Sequence, residues 1–211
     1  GRGMGGGMMI SMNSQWDNSG SNEIQGHIYL INNTIADNYA SSNSYDGEGG
    51  GIRISNLNQL HGTWFNNIIW GNRSDIEESN NESHNIVWSG DQSQVQLNLN
   101  YNDIEYSSFH TQYPWGSNSY DIDPSFYSAT NYQLSPGSPL IGAGATSWNG
   151  INAYEKDKLE NARPNPAGSN PDLGAYENSL AESPYPKQVK NLVGIPGGGQ
   201  VSLSWDANTE S

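Results

Sequence analysis

Cysteine is missing altogether. That excludes disulfides, thiol nucleophiles and Cys-ligated zinc. Basic residues are scarce: 8 Lys and Arg stand against 22 Asp and Glu, a formal net charge of −14. No Lys or Arg occurs between Arg73 and Lys156. Such a surface repels phosphate backbones, so nucleic acid is excluded as a partner. Anionic lipid is disfavoured for the same reason, and divalent cations are the natural counter-ions. No apolar run approaches the ~18 residues of a spanning helix, so no membrane span is expected. A signal-peptide pattern is also missing. The chain opens on GRGMGGGMMI, which reads as the middle of a longer sequence, so an upstream segment is expected. Hydrophobic residues make up only 33%, against a globular average of about 45–50%. No stretch sustains a 3.6-residue period, and Gly, Asn and β-branched residues are poor helix formers.

What fills the chain instead is Asn, Ser, Gly and aromatics. Seven Trp and twelve Tyr are more than a disordered chain carries. The phrase YLINNTIADNYA (Tyr29–Ala40) returns as TWFNNIIWGNRS (Thr63–Ser74). Ile35, Ile69 and Ile104 align at spacings of 34 and 35, and Asn33, Asn67 and Asn102 stand two residues before them. Short alternating runs precede each, and Val95, Leu97, Leu99 and Tyr101 show strict period two, the mark of a strand with one buried face. GGGMMI (from Gly5) and GGGIRI (from Gly49) each feed a strand from a glycine turn. Short strands returning at nearly fixed distance predict stacked repeats, none of which buries its apolar face alone. Ile over Ile forms an inner column, and Asn over Asn an amide ladder at the corner where the chain turns.

NNTIADNYA…GGGIRI…FNNIIWGN resembles the repeats of right-handed parallel β-helix proteins of the pectate-lyase-like superfamily, over roughly residues 1–110. SYDIDPSFYSATNYQLSPGSPLIGAG (Ser119–Gly144) with DKLENARPNPAGSNPDLGAYE (Asp157–Glu177) resembles the closing segment of secreted bacterial β-helix proteins of the choice-of-anchor Q type. Gly142 departs from that pattern, which commonly has Asp there. The tail, with GQVSLSWDAN (Gly199–Asn208), resembles the start of a fibronectin type III domain, which needs about a hundred residues. The resemblances imply an all-β chain: a right-handed parallel β-helix (solenoid) over 1–118, an irregular C-terminal cap over 119–180, and a truncated fibronectin type III-like stretch over 181–211. They also imply an extracellular or bacterial cell-surface location.

Function is read less directly. Lyases of this architecture bring Ca²⁺ and a basic residue to a uronate. Arg53, between Ile52 and Ile54, is the outward arginine that could serve. A hydrolase needs two carboxylates, and Asp103 and Glu105 flank inward Ile104, with α-carbons roughly 6–7 Å apart. Calcium would suit Asp46 and Glu48 in YDGEGG, or Asp121 and Asp123 in YDIDP, as hard oxygen ligands; neither fits EF-hand spacing. Trp64, Trp70 and Trp88 are the candidates for stacking on sugar rings. Arg163 is expected to pair with Asp172 or Glu177 and hold the cap closed. His27, His61, His84 and His110 show no metal spacing and read as surface or turn residues. The glycine runs lack the Lys-Ser/Thr of a phosphate loop. The expectation is a non-catalytic carbohydrate-binding, adhesive or structural module with a polysaccharide or cell-surface glycan as partner. Its rival is a fragment of a polysaccharide lyase or glycoside hydrolase whose catalytic coils lie upstream.

Overall fold

The computed structural model describes residues 7–11, 26–40, 49–55, 60–74, 85–89, 96–105, 116–183 and 193–205. Among them there is no helix, and the architecture is all-β. Through the first half the strands are β1 (Met8–Ser11), β2 (Gly26–Ile31), β3 (Thr34–Ala36), β4 (Tyr39–Ala40), β5 (Ile52–Ser55), β6 (Leu60–Phe65), β7 (Ile68–Trp70), β8 (Arg73–Ser74), β9 (Ile86–Ser89), β10 (Gln96–Asn100) and β11 (Asp103–Ile104). They pair across repeats in parallel sheets ordered β1-β5-β9, β2-β6-β10, β3-β7-β11 and β4-β8. In the second and third sheets the register steps by 34 and then 35 residues, as in His27 to His61 to Gln96 and Ile35 to Ile69 to Ile104. In the first sheet it steps by 44 and then 34, from Met8 to Ile52 to Ile86.

That register stacks like on like. Leu30, Trp64 and Leu99 share one rung-to-rung column, Ile35, Ile69 and Ile104 a second, and Met8, Ile52 and Ile86 a third. All belong to one apolar core, in which Ile52, Ile54, Trp64, Ile69 and Ile104 are fully buried. Burying each such side chain contributes about 1.5–3 kcal/mol.

The chain bends between β2 and β3, between β6 and β7 and between β10 and β11 through one left-handed residue: Asn32 (φ 56°), Asn66 (φ 59°) and Tyr101 (φ 54°). Asn tolerates that region better than most residues. The next residue on each rung is the ladder asparagine. Asn33 Nδ2 donates to Asn67 Oδ1 at 3.1 Å, and Asn67 Nδ2 donates to Asn102 Oδ1 at 2.8 Å. The two acceptor oxygens also receive a backbone N–H each, Asn67 Oδ1 from Asn33 and Asn102 Oδ1 from Asn67. A second ladder follows at the next corner. Asn38 Nδ2 donates to Asn72 Oδ1 at 3.0 Å, and Asn72 Nδ2 donates to Asn85 Oδ1 at 2.7 Å. Gly51 is required beside it, because a Cβ there would lie 2.5 Å from the Asn85 carbonyl oxygen.

Beyond β11 the chain first extends the stack. Tyr120 pairs in parallel with Asp103, donating its N–H to the Asn102 carbonyl at 2.7 Å and accepting from Ile104 at 3.0 Å. The rest carries two small antiparallel hairpins, β12 (Phe126–Ser128) with β13 (Asn131–Leu134) and β14 (Ser147–Trp148) with β15 (Ile151–Asn152). A cap over the end of the stack is the expectation, and among the described residues 116–122 lie at that edge, where the Ile122 N–H also reaches Asp103 Oδ1. The remainder runs back along the outward side of the third sheet. Ala145 exchanges two hydrogen bonds with the Asn66 side chain. Gly174 donates to the Asn66 carbonyl, and Ala175 to Thr34 Oγ1 at 2.9 Å. Gly174 has φ +88°, and a Cβ there would sit 2.6 Å from Thr34 Oγ1 and 2.8 Å from Ile68 Cδ1. The cause is apolar. Ile68 turns outward between inward neighbours and forms a second core with Leu134, Leu140, Ile141 and Leu173, with Trp70 and Ile122 at its margin.

A last antiparallel hairpin joins β16 (Val193–Gly197) to β17 (Gln200–Ser204). Val201, Leu203 and Trp205 are 62%, 57% and 56% exposed, so among the described residues no segment packs over them.

Candidate functional site

The alternation that sends Ile28 and Leu30 into the core sends His27 and Tyr29 outward from β2. The same parity on β6 and β10 places His61 and Thr63, then Gln96 and Asn98, on that side, with Thr63 itself fully buried. Register therefore makes two cross-strand rows, His27–His61–Gln96 and Tyr29–Thr63–Asn98. Adjacent strands lie about 4.8 Å apart. The His27 ring stacks on Tyr29 with centroids 4.3 Å apart and planes at 25°, and it parallels His61 at 6.4 Å. His27 Nε2 lies 3.1 Å from Thr63 Oγ1. Tyr29 is half exposed, and His27, Gln96 and Asn98 are exposed. The two rows contain no carboxylate and no Lys or Arg. They offer flat rings beside amide and hydroxyl groups, a surface able to stack on a ligand and exchange hydrogen bonds with it. His27 and Thr63 put a base beside a hydroxyl, but the Thr63 side chain is fully buried.

This face was readable from spacing, because His27 and His61 stand 34 residues apart, the same step as Ile35 to Ile69. The tryptophans expected to bind sugar are elsewhere. Trp64 is fully buried in the inner column, aligned with Leu30 and Leu99, so no ligand reaches it. Trp70 is half-buried against the second core. Trp88 lies on β9, and its side chain is outside the described residues.

The carboxylate candidates serve the fold. Asp103 is fully buried, and its Oδ1 accepts the Ile122 N–H at 3.1 Å. Burial raises its carboxyl well above the ordinary value, and neighbouring Asp121 and Asp123 add to the shift. Glu105 Oε2 accepts the Gly71 N–H at 2.7 Å and lies 3.4 Å from Arg73 Nη1. It also receives Asn85 Nδ2, at the corner where the second ladder ends. Arg53 is half-buried on the outward side of β5, aligned with Met9 and Val87. Of the metal candidates, Asp46 and Glu48 fall outside the described residues. Asp121 and Asp123 are exposed, and Asp123 Oδ1 accepts the Ser125 N–H at 2.7 Å. Among the described residues, no three His, Asp or Glu side chains converge as metal ligands.

The closing segment has its own ionic cluster. Arg163 Nε stands 2.9 Å from Glu177 Oε2, with both side chains buried. Glu177 accepts backbone N–H groups from Asn165 and Asp172, and Asp172 accepts those of Gly142 and Asn178. Burial outweighs pairing at both ends of the bridge, holding the Arg163 guanidinium below and the Glu177 carboxyl above their ordinary values. Burial and the Glu177 charge push Asp172 up to about 7. Asp157 is also penalised by burial, yet hydrogen bonds from Asn161, Glu177 and Leu159 hold it below the ordinary value. Every carboxylate here accepts a backbone N–H, so the cluster fixes loop conformation and offers no open reactive group. No family model, no curated protein and no solved structure matches this chain.

Proposed function

We propose that this chain is a right-handed parallel β-helix that acts as a non-catalytic carbohydrate-binding or adhesive module, secreted or displayed at a bacterial cell surface. Its parts are the coils over 1–118, a closing segment over 119–180 and a fibronectin type III-like stretch over 181–211. The parallel registers of 34–44 residues support the solenoid, and crossover connections between parallel strands are right-handed almost without exception. One observation carries the binding role: the exposed face of stacked His27 and Tyr29 beside His61, Gln96 and Asn98. The C–H face of a sugar ring packs against such rings while its hydroxyls bond to amides. The partner is a glycan, and an overall charge of −14 favours a neutral one. Calcium, if used, would act through the acidic loops rather than this face.

Depletion assays on insoluble neutral polysaccharides test the proposal. Tyr29→Ala should weaken binding by about 0.5–1.5 kcal/mol, roughly 2- to 12-fold, with unchanged thermal unfolding. Absence of binding by the wild-type chain refutes the role. Release of unsaturated uronate from pectin or alginate with Ca²⁺, abolished by Arg53→Ala, would replace it with a lyase.

A further inference from the structure

The closing segment holds a concavity that no part of the fold requires. It encloses about 300 Å³ and is lined by Tyr127, Gln133, Asn161, Asn165, Tyr176 and Asn178, with Glu177 at its wall. Its lining is unusual for a packing defect, because two tyrosines stand with four primary amides. Tyr127 is 65% exposed. Tyr176 already carries a cation against its ring, Lys158 Nζ at 5.5 Å from the centroid.

Several of these groups have hydrogen-bonding capacity left over. Asn165 uses only its backbone N–H, given to Glu177, so among the described residues its side-chain amide has no protein partner. The Tyr127 hydroxyl has none either. Gln133 accepts from Asn131 Nδ2 at its Oε1, which leaves its NH₂ free. Asn161 donates to Asp157 through Nδ2, leaving its carbonyl. The one carboxylate, by contrast, is fully committed: Glu177 bonds two backbone N–H groups and pairs with Arg163. The pocket lining thus offers both donors and acceptors and two aromatic rings; its carboxylate is paired, and a cation, Lys158, lies against the Tyr176 ring.

We infer that this pocket is a second binding site, separate from the β2-β6-β10 face, for one or two rings of a neutral saccharide. The inference rests on the carbohydrate-binding reading above and deepens it. A volume of about 300 Å³ lies at the small end of ligand pockets, about 300–1,000 Å³, which suits a chain end or short branch. The exposed face, being flat and open, suits the length of a polymer. An amino sugar would find no unpaired carboxylate in the lining, since Glu177 is paired with Arg163.

Calorimetric titration of the whole chain decides this, with methyl glycosides of glucose, galactose, mannose and N-acetylglucosamine as probes and galacturonate and glucosamine as charged controls. At least one neutral glycoside should bind. Its affinity should fall at least tenfold in Tyr127→Ala and in Asn165→Ala, and stay unchanged in Tyr29→Ala. Tyr127 is exposed enough that its removal leaves the fold intact, which thermal unfolding verifies. Failure of every glycoside to bind, while Tyr29-dependent polysaccharide binding persists, overturns the second site and leaves the proposed function standing. Binding of the charged sugars alone, or binding insensitive to both pocket variants, also overturns it.

Discussion

Replacing Asn67 by Ala should damage the fold severely. Its side chain is fully buried and makes four contacts. Nδ2 donates to the Leu30 carbonyl at 2.7 Å and to Asn102 Oδ1 at 2.8 Å, while Oδ1 accepts Asn33 N at 3.0 Å and Asn33 Nδ2 at 3.1 Å. Each is worth about 0.5–1.5 kcal/mol net, so truncation should cost roughly 2–6 kcal/mol. That is a large part of the roughly 5–15 kcal/mol that holds a domain folded. Asn33 sits at the half-buried end of the ladder and makes fewer bonds, so Asn33→Ala should cost less. Asn67→Asp is the sharper probe. It keeps the shape but faces the Leu30 carbonyl and Asn102 Oδ1 with an acceptor, placing oxygen against oxygen in a buried corner. Urea unfolding followed by tryptophan fluorescence measures all three, since Trp64 lies within the core. A loss under about 1 kcal/mol for Asn67→Ala, or an Asp variant no worse than the Ala variant, refutes the ladder as a source of stability.

Ile69→Ala should cost about 2–5 kcal/mol in the same assay, because Ile69 is fully buried between Ile35 and Ile104; a change under about 0.5 kcal/mol contradicts the inward column. Arg163→Met should loosen the closing segment, since removing one partner of a buried pair costs about 3–5 kcal/mol; faster proteolysis within 119–177 than in the parallel sheets reads this out. Stability should fall as pH rises from about 4 to about 7, the window set by Asp172. In that window the folded state holds protons on Asp172 and Asp103 that the unfolded chain has released, so rising pH favours unfolding. Asp157 has the opposite sign but acts only below its ordinary value. Urea midpoints at pH 5 and 7.5 check the trend, which Asp172→Asn should flatten.

The sequence showed its repeats because stacking demands identity at equivalent places. Asn33, Asn67 and Asn102 could be found by spacing alone, and the ladder they form follows from it. The second ladder was half legible: Asn38 and Asn72 stand three residues after Ile35 and Ile69. Its last rung was not, because Asn85 comes 13 residues after Asn72, outside the period. Trp64 was misjudged because an aromatic was weighed by its chemistry instead of its parity; a shift of 34 places it over Leu30. The sideways course of the closing segment had a signal that went unused. Ile68 and Ile69 are adjacent, so they face opposite sides of one strand, and two apolar neighbours there mean that both sides are covered. The pocket was not legible, since its walls come from positions 127, 133, 161, 165 and 176–178, brought together by hairpins and turns of no fixed period.

The unequal registers bear on how such a chain can change length. From β2 to β4 every rung has the same count of residues, whereas the first sheet steps by 44 at one rung and by 34 at the next. The extra ten residues fall between β1 and β2, where 14 residues separate the strands, against 4 between β5 and β6. Insertion at that connection leaves every ladder in phase. A single residue inserted between β2 and β3 would swap inward for outward along the strand and carry the asparagine off its corner. Variation among descendants of such a gene should therefore collect at one edge of the stack, leaving the amide corners constant in length. A search that assumes one fixed period would miss the kinship between a 34-residue and a 44-residue turn of the same design.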